Sequence, residues 1–245
     1  MTEIMGEDMQ NLMIKHQKLL IFLGIIAFFY VSYKIAYPSY AWNQKLTVEV
    51  ETPEGVVIGS SVVAVKWRQY PDVWQEIRSV RDSHEGEASI IELPNGKYLF
   101  VLLSNATPSL ALHVFATSKV GSGMDSRIVP ASEVNSHKGE IKSIPRVHYP
   151  LFVTFDDLDD PASVKRVDPD DLEASFGEGY SLKSATLEIT DEEITEGRIV
   201  DLLPWFNWPR QKSLEYGGGS NPLKMPNDSP RGYQSLSKLE FRRAL

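Results

Sequence analysis

The sequence predicts a mainly β protein: one N-terminal transmembrane helix followed by a β-sandwich-like soluble region with one short helix. Three observations lead there. An apolar run near the N-terminus is long enough to cross a bilayer. The segments behind it alternate apolar and polar residues with turn residues between them. The chain of 245 residues contains no cysteine, which removes disulfides, thiolate catalysis and cysteine-based metal sites together.

Residues 1–18 form a polar N-terminal flank. From Leu19 to Tyr33 the sequence LLIFLGIIAFFYVSY carries no charge, and with Ile35, Ala36 and Tyr37 the segment 19–37 reaches the length that a hydrocarbon core requires. Ten of the residues in Leu19–Tyr33 are Leu, Ile, Phe or Val, which sums to roughly −3 to −6 kcal/mol for insertion. A buried core helix would keep an amphipathic stripe, whereas this segment is apolar all round. A cleaved signal peptide is the alternative, since Ser39-Tyr40-Ala41 offers a small-x-small site. Glu3, Glu7 and Asp8 in a long leading segment argue against it. Tyr30, Tyr33, Tyr37, Tyr40 and Trp42 read as an interfacial aromatic belt. The expected topology is a single pass, with the N-terminus cytoplasmic and the bulk extracytoplasmic.

Residues 43–118 read as a β-sandwich module. Leu46, Val48 and Val50 alternate along Lys45–Thr52. Pro53-Glu54-Gly55 is a turn, and a second strand covers Val62–Trp67. Asn95-Gly96 fits a tight turn before a strand at Tyr98–Leu103, and Leu110–Ala116 alternates again as a strand, with His113 on its face. The runs VEVETPEGVVIGSSVVAV and GEASIIELPNGKY, within residues 45–104, resemble the prealbumin-like β-sandwich modules of bacterial surface proteins. That resemblance implies a fold and no catalytic residue.

Residues 119–146 read as a loop-rich connection holding at most one short strand. A second β-rich unit, 147–206, is expected to pack on the first. It has strands at LFVTF and Leu182–Thr190 and a short helix in DPDDLEASFG that Gly177 ends. The stretch from Tyr149 to Glu192 resembles an uncharacterised family of bacterial single-pass membrane-anchored proteins, which implies a bacterial envelope setting. Residues 207–245 read as a flexible polar tail.

A formal net charge of −8 without a Lys/Arg stripe disfavours nucleic acid. Asp156, Asp157, Asp159, Asp160, Asp168, Asp170 and Asp171 supply oxygens of the kind calcium needs. The sixth-position Gly and twelfth-position Glu of an EF-hand are missing, and Asp160-Pro161 and Asp168-Pro169 read as turn caps. His16, His84, His113, His137 and His148 show no metal-ligand spacing. No nucleophile elbow, phosphate loop or dinucleotide fingerprint is present, so no catalytic residue and no cofactor-binding residue is nominated. Trp205, Phe206 and Trp208 are candidates for partner contact.

The expected role is therefore a membrane-anchored interaction or structural protein. It would hold the bilayer through Leu19–Tyr37 and present a β-rich domain to a protein partner in the envelope. The alternatives are a calcium- or glycan-responsive adhesin-type binder and an aspartate-based hydrolase.

Overall fold

The computed structural model describes residues 2–71, 79–123, 125–207, 223–224, 235–236 and 238–243. Helix α1 (Thr2–Ala36) comes first. Its stretch Lys15–Ala36 is long and apolar enough to cross a membrane. Between Leu19 and Ile35 its large apolar side chains are 47–77% exposed, so nothing in the described chain covers them. Pro38 ends the helical path, because it has no N–H to give and disfavours a helical residue before it. The amide of Tyr37 still donates to the Tyr33 carbonyl (2.9 Å), and strand β1 (Ser39–Thr52) begins directly after Pro38.

β1 pairs along its whole length with β2 (Gly55–Gln69) across a two-residue loop, Pro53-Glu54. The Thr52 hydroxyl closes that loop by donating to the Gly55 carbonyl (2.7 Å) and accepting from the Glu54 amide. Gly55 has φ +125°, where a side chain would be strained. β3 (Val80–Glu87) adds to the other edge of β2. β9 (Ser181–Thr190) adds to the other edge of β1, and β6 (Ile141–Ser143) follows β9. β12 (Arg242–Arg243) lies outside β3, which completes a six-stranded antiparallel sheet in the order β12-β3-β2-β1-β9-β6.

At Ala88 the chain leaves β3 and enters β4 (Ser89–Glu92) of a second antiparallel sheet. That sheet continues through β5 (Tyr98–Val101), β7 (Phe152–Phe155) and β8 (Val164–Val167), in the order β4-β5-β7-β8. The β4–β5 turn contains Asn95-Gly96, with Gly96 at φ +76°. A separate two-stranded pair, β10 (Leu223–Lys224) and β11 (Ser235–Leu236), lies in the C-terminal region.

Alternation places Trp42, Gln44, Leu46, Val48 and Val50 of β1, and Val63, Val65 and Trp67 of β2, on one buried face of the six-stranded sheet. Away from α1, this face meets Ile91, Leu99, Val101, Phe152 and Val167 of the second sheet in one apolar cluster. The sheets come into close contact at Gly59, where a Cβ would lie 2.4 Å from the Ile90 carbonyl oxygen. Ser61 and Ser89 share a buried hydrogen bond (2.8 Å) beside that contact.

Nearer α1 the cover is helical: α2 (Thr107–Phe115) and α3 (Ile128–Glu133), with Leu110, Ala111, Leu112, Phe115, Ala131 and Val134 in the same cluster. Here the expectation of a strand at Leu110–Ala116 is corrected. Leu110, Ala111 and Leu112 are buried in succession, which a strand with one wet face does not allow. Pro108 marks a first helical turn, and a short apolar run cannot be assigned by periodicity alone. Gln44 Nε2 donates to the Thr107 carbonyl (3.0 Å) and Trp67 Nε1 to the Pro108 carbonyl (3.0 Å), which ties the start of α2 to the sheet.

A second cluster covers the other face of the four-stranded sheet. Ile90, Phe100, Leu102, Val153, Phe155 and Val164 pack against Ile199 and Leu203 at α5 (Arg198–Leu202), Trp205, and Phe241 of α6 (Lys238–Phe241). Glu87, fully buried, fastens this layer. Its carboxylate accepts from the amides of Gly197 (2.8 Å) and Ile199 (3.1 Å) at the start of α5, with Arg242 Nε at 3.5 Å. The described residues 238–243 of the expected polar tail are therefore seated. Phe241 is buried, its carbonyl accepts from Ala88, and Lys238 Nζ donates to the carbonyls of Trp205 and Phe206 (both 2.9 Å).

Candidate functional site at the helix–hairpin junction

Two residues, Tyr37 and Pro38, separate α1 from β1. The Pro38 carbonyl accepts from the Gln69 amide (3.0 Å), so the open end of the β1–β2 hairpin forms where the helix stops. Tyr33 and Tyr37 pack with ring centroids 5.0 Å apart, and Lys34 Nζ lies 5.9 Å from the Tyr30 ring centre. Trp42 does not belong to this aromatic group, contrary to the sequence expectation. It is 5% exposed inside the core and donates from Nε1 to Gln44 Oε1 (3.1 Å). The strand starts at Ser39 rather than near Lys45, and its period of two turns Trp42 inward.

On the outward face at the same level, Ser39 stands opposite Arg68, and Arg68 opposite Arg81. Both arginines are exposed. Their guanidinium carbons lie 5.8 Å and 5.4 Å from the Tyr70 ring centre.

A cleft of about 160 Å³ opens beside the start of α2, lined in part by Ser104, Thr107, Leu110, His113, His148 and Tyr149. His113 and His148 stack there with centroids 4.0 Å apart and planes 18° from parallel. Burial, then the neighbouring His148 and Arg127, hold His113 below the usual imidazole range. The histidines are 35 positions apart in sequence, so no local spacing announces the pair. The cleft hydroxyls already serve the turn before α2: Thr107 Oγ1 accepts from the Ser104 amide, and Ser104 Oγ from the Ala106 amide. Of the remaining histidines, His84 is buried beside Arg243 and His137 contacts Glu140.

The seven aspartates lie on two exposed turns. Asp157, Asp160, Asp168 and Asp171 accept from the amides of Asp159, Ala162, Asp170 and Ala174, which fixes the turns around Pro161 and before the short helix α4 (Glu173–Phe176). Asp156 pairs with Lys165, and Arg146 bridges Asp168 and Asp170. Among the described residues, no group of three or more His, Asp or Glu side chains is arranged to hold a metal ion. Trp205 is enclosed in the second cluster (1% exposed), Phe206 packs against it, and Trp208 lies outside the described residues.

The junction is thus the feature of the molecule that polarises it. At one end it has an uncovered apolar helix, followed by tyrosine and basic side chains near where that helix ends. No protein-family model, curated protein or solved structure matches this chain.

Proposed function

We propose that the protein is a single-pass membrane protein whose β-rich part, held close to the bilayer on the extracytoplasmic side, engages a protein partner in the cell envelope. The observation that carries this reading is the α1 surface: apolar, exposed on every side, and joined to β1 by only two residues. An uncovered face of that size is unstable in water and is matched by lipid. The N-terminus lies in the cytoplasm, by the same reading. Residues 45–104 supply part of β1 and all of β2 to β5, and the two sheets facing across one core support a sandwich of the prealbumin-like type.

The test is fractionation of native membranes followed by mild-detergent capture. The chain is expected to stay in the pellet through high salt and alkaline carbonate, since apolar burial holds it rather than charge. Protease at the outer face should remove the β-rich part. A reproducible protein should then co-purify. Release by carbonate would overturn the anchor, protection from outside protease the orientation, and repeated purification of the chain alone the partner.

A further inference from the structure

We infer that Arg68 and Arg81, both packed against Tyr70, form a seat for lipid headgroup phosphates that holds the β-rich part in one orientation on the membrane. The inference rests on α1 spanning a bilayer and adds a second, polar contact with it. Ser39 is the third residue beyond Ala36, the last of the helix, and three extended residues reach about 10 Å at most. Arg68 is paired with Ser39 and Arg81 with Arg68. With neighbouring strands about 4.8 Å apart, both arginines lie roughly 5–10 Å to the side of the helix exit. The headgroup region is about 5–8 Å deep on each side of the hydrocarbon. Long arginine stems bring the guanidinium groups into it.

The charge pattern points the same way. Like charges directly opposite on an antiparallel pair destabilise it. Several other cations of this acidic chain are paired with carboxylates, as in Lys45–Glu192, Lys183–Glu49 and Arg146 with Asp168 and Asp170. Among the described residues, Arg68 and Arg81 have no carboxylate at ion-pair distance. They face the Tyr70 ring, and Arg68 Nη1 approaches its hydroxyl (3.5 Å). Planar guanidinium groups in such a pair suit phosphate oxygens.

Along this face of β1, β2 and β3, counting from α1, Arg68 and Arg81 come first and Lys66 next. Among the described residues of this face, the first carboxylate is Glu85, opposite Ala64. After β9, Glu192 is bonded to Asn43 and Lys45, Glu188 stands opposite Lys45, and Glu49 and Glu51 lie further from α1. Among the described residues of this outward face, positive charge is gathered toward α1 and negative charge away from it.

The test uses the full chain in vesicles of phosphatidylcholine with phosphatidylglycerol, compared with non-ionic detergent, read by amide hydrogen exchange. Exchange over residues 66–70 and 79–84 is expected to slow by roughly tenfold in vesicles. The R68Q/R81Q double variant should lose that slowing while α1 stays protected, and R68K/R81K should keep part of it. Absence of slowing in the wild-type chain, or its persistence in R68Q/R81Q, overturns the inference and leaves the anchor standing. Slowing reproduced by inorganic phosphate in detergent overturns the lipid as its source. If α1 itself is unprotected and the chain does not float with vesicles, the anchor reading has failed instead.

Discussion

Replacing Glu87 by alanine is expected to release the C-terminal layer from the four-stranded sheet before the rest of the protein unfolds. The carboxylate is fully buried and accepts from two backbone donors, Gly197 (2.8 Å) and Ile199 (3.1 Å), with Arg242 alongside. Hydrogen bonds to a charged group contribute about 1.5–3 kcal/mol each, and the donors left behind would have no partner. The substitution should therefore cost about 3–5 kcal/mol. Glu87→Gln keeps one acceptor but turns an amide toward the second donor, and should cost about 1.5–3 kcal/mol. With a urea slope of about 2 kcal/mol per molar, the alanine midpoint falls by roughly 1.5–2.5 M. The assay is urea unfolding of the full chain in detergent, followed by tryptophan fluorescence, with hydrogen exchange over residues 197–203 and 238–243. A midpoint within about 0.3 M of wild type, with exchange in those segments unchanged, would refute the capping argument.

Other outcomes follow from single positions. His84 is held down at about 4, against an ordinary 6.5, by burial and then by Arg243. The unfolded chain therefore binds the extra proton between those values, so stability is complete above pH 6.5 and falls as the pH drops toward 4. The loss is about 2 kcal/mol once solvent screening is allowed for. His84→Gln should flatten the pH profile of the melting temperature over that window, and an unchanged slope would remove His84 as its source. Gly59→Ala puts a methyl 2.4 Å from the Ile90 carbonyl oxygen and should cost about 1–3 kcal/mol in a denaturant titration. A neutral result there would mean that the sheets separate without penalty. Ile25→Arg, at the middle of the apolar helix, adds about 3 kcal/mol to insertion. It should shift part of the chain into the carbonate-soluble fraction, and full retention would count against a spanning α1.

The parts legible in the sequence are those fixed by local rules. Leu46, Val48 and Val50 declare β1 because a strand with one buried face must alternate, and Ala185, Leu187 and Ile189 declare β9 the same way. Asp160 before Pro161 and Gly177 after Phe176 end their elements by capping chemistry that needs no tertiary partner. β3 escapes such reading because its inward positions include Asp82, His84 and Gly86, whose polarity or lack of a side chain hides the period. α2 escapes because it is covered on nearly every side, so its composition is that of a buried strand. The junction falls between these cases. The apolar helix and the aromatic residues after it are plain in the sequence, but which aromatics stay outside the core depends on how far β1 extends, and Trp42 goes inside because the strand already includes it in phase with Leu46, Val48 and Val50. Arg68, Tyr70 and Arg81 become neighbours only through the β2–β3 register, in which Arg68 meets Arg81. Register is a property of pairing between strands, set by the whole inward face of Val65, Trp67 and Val80 and by the turns that join them. A cationic cluster made by register therefore leaves no motif in the linear chain, whereas a cluster made by helical spacing would have left one.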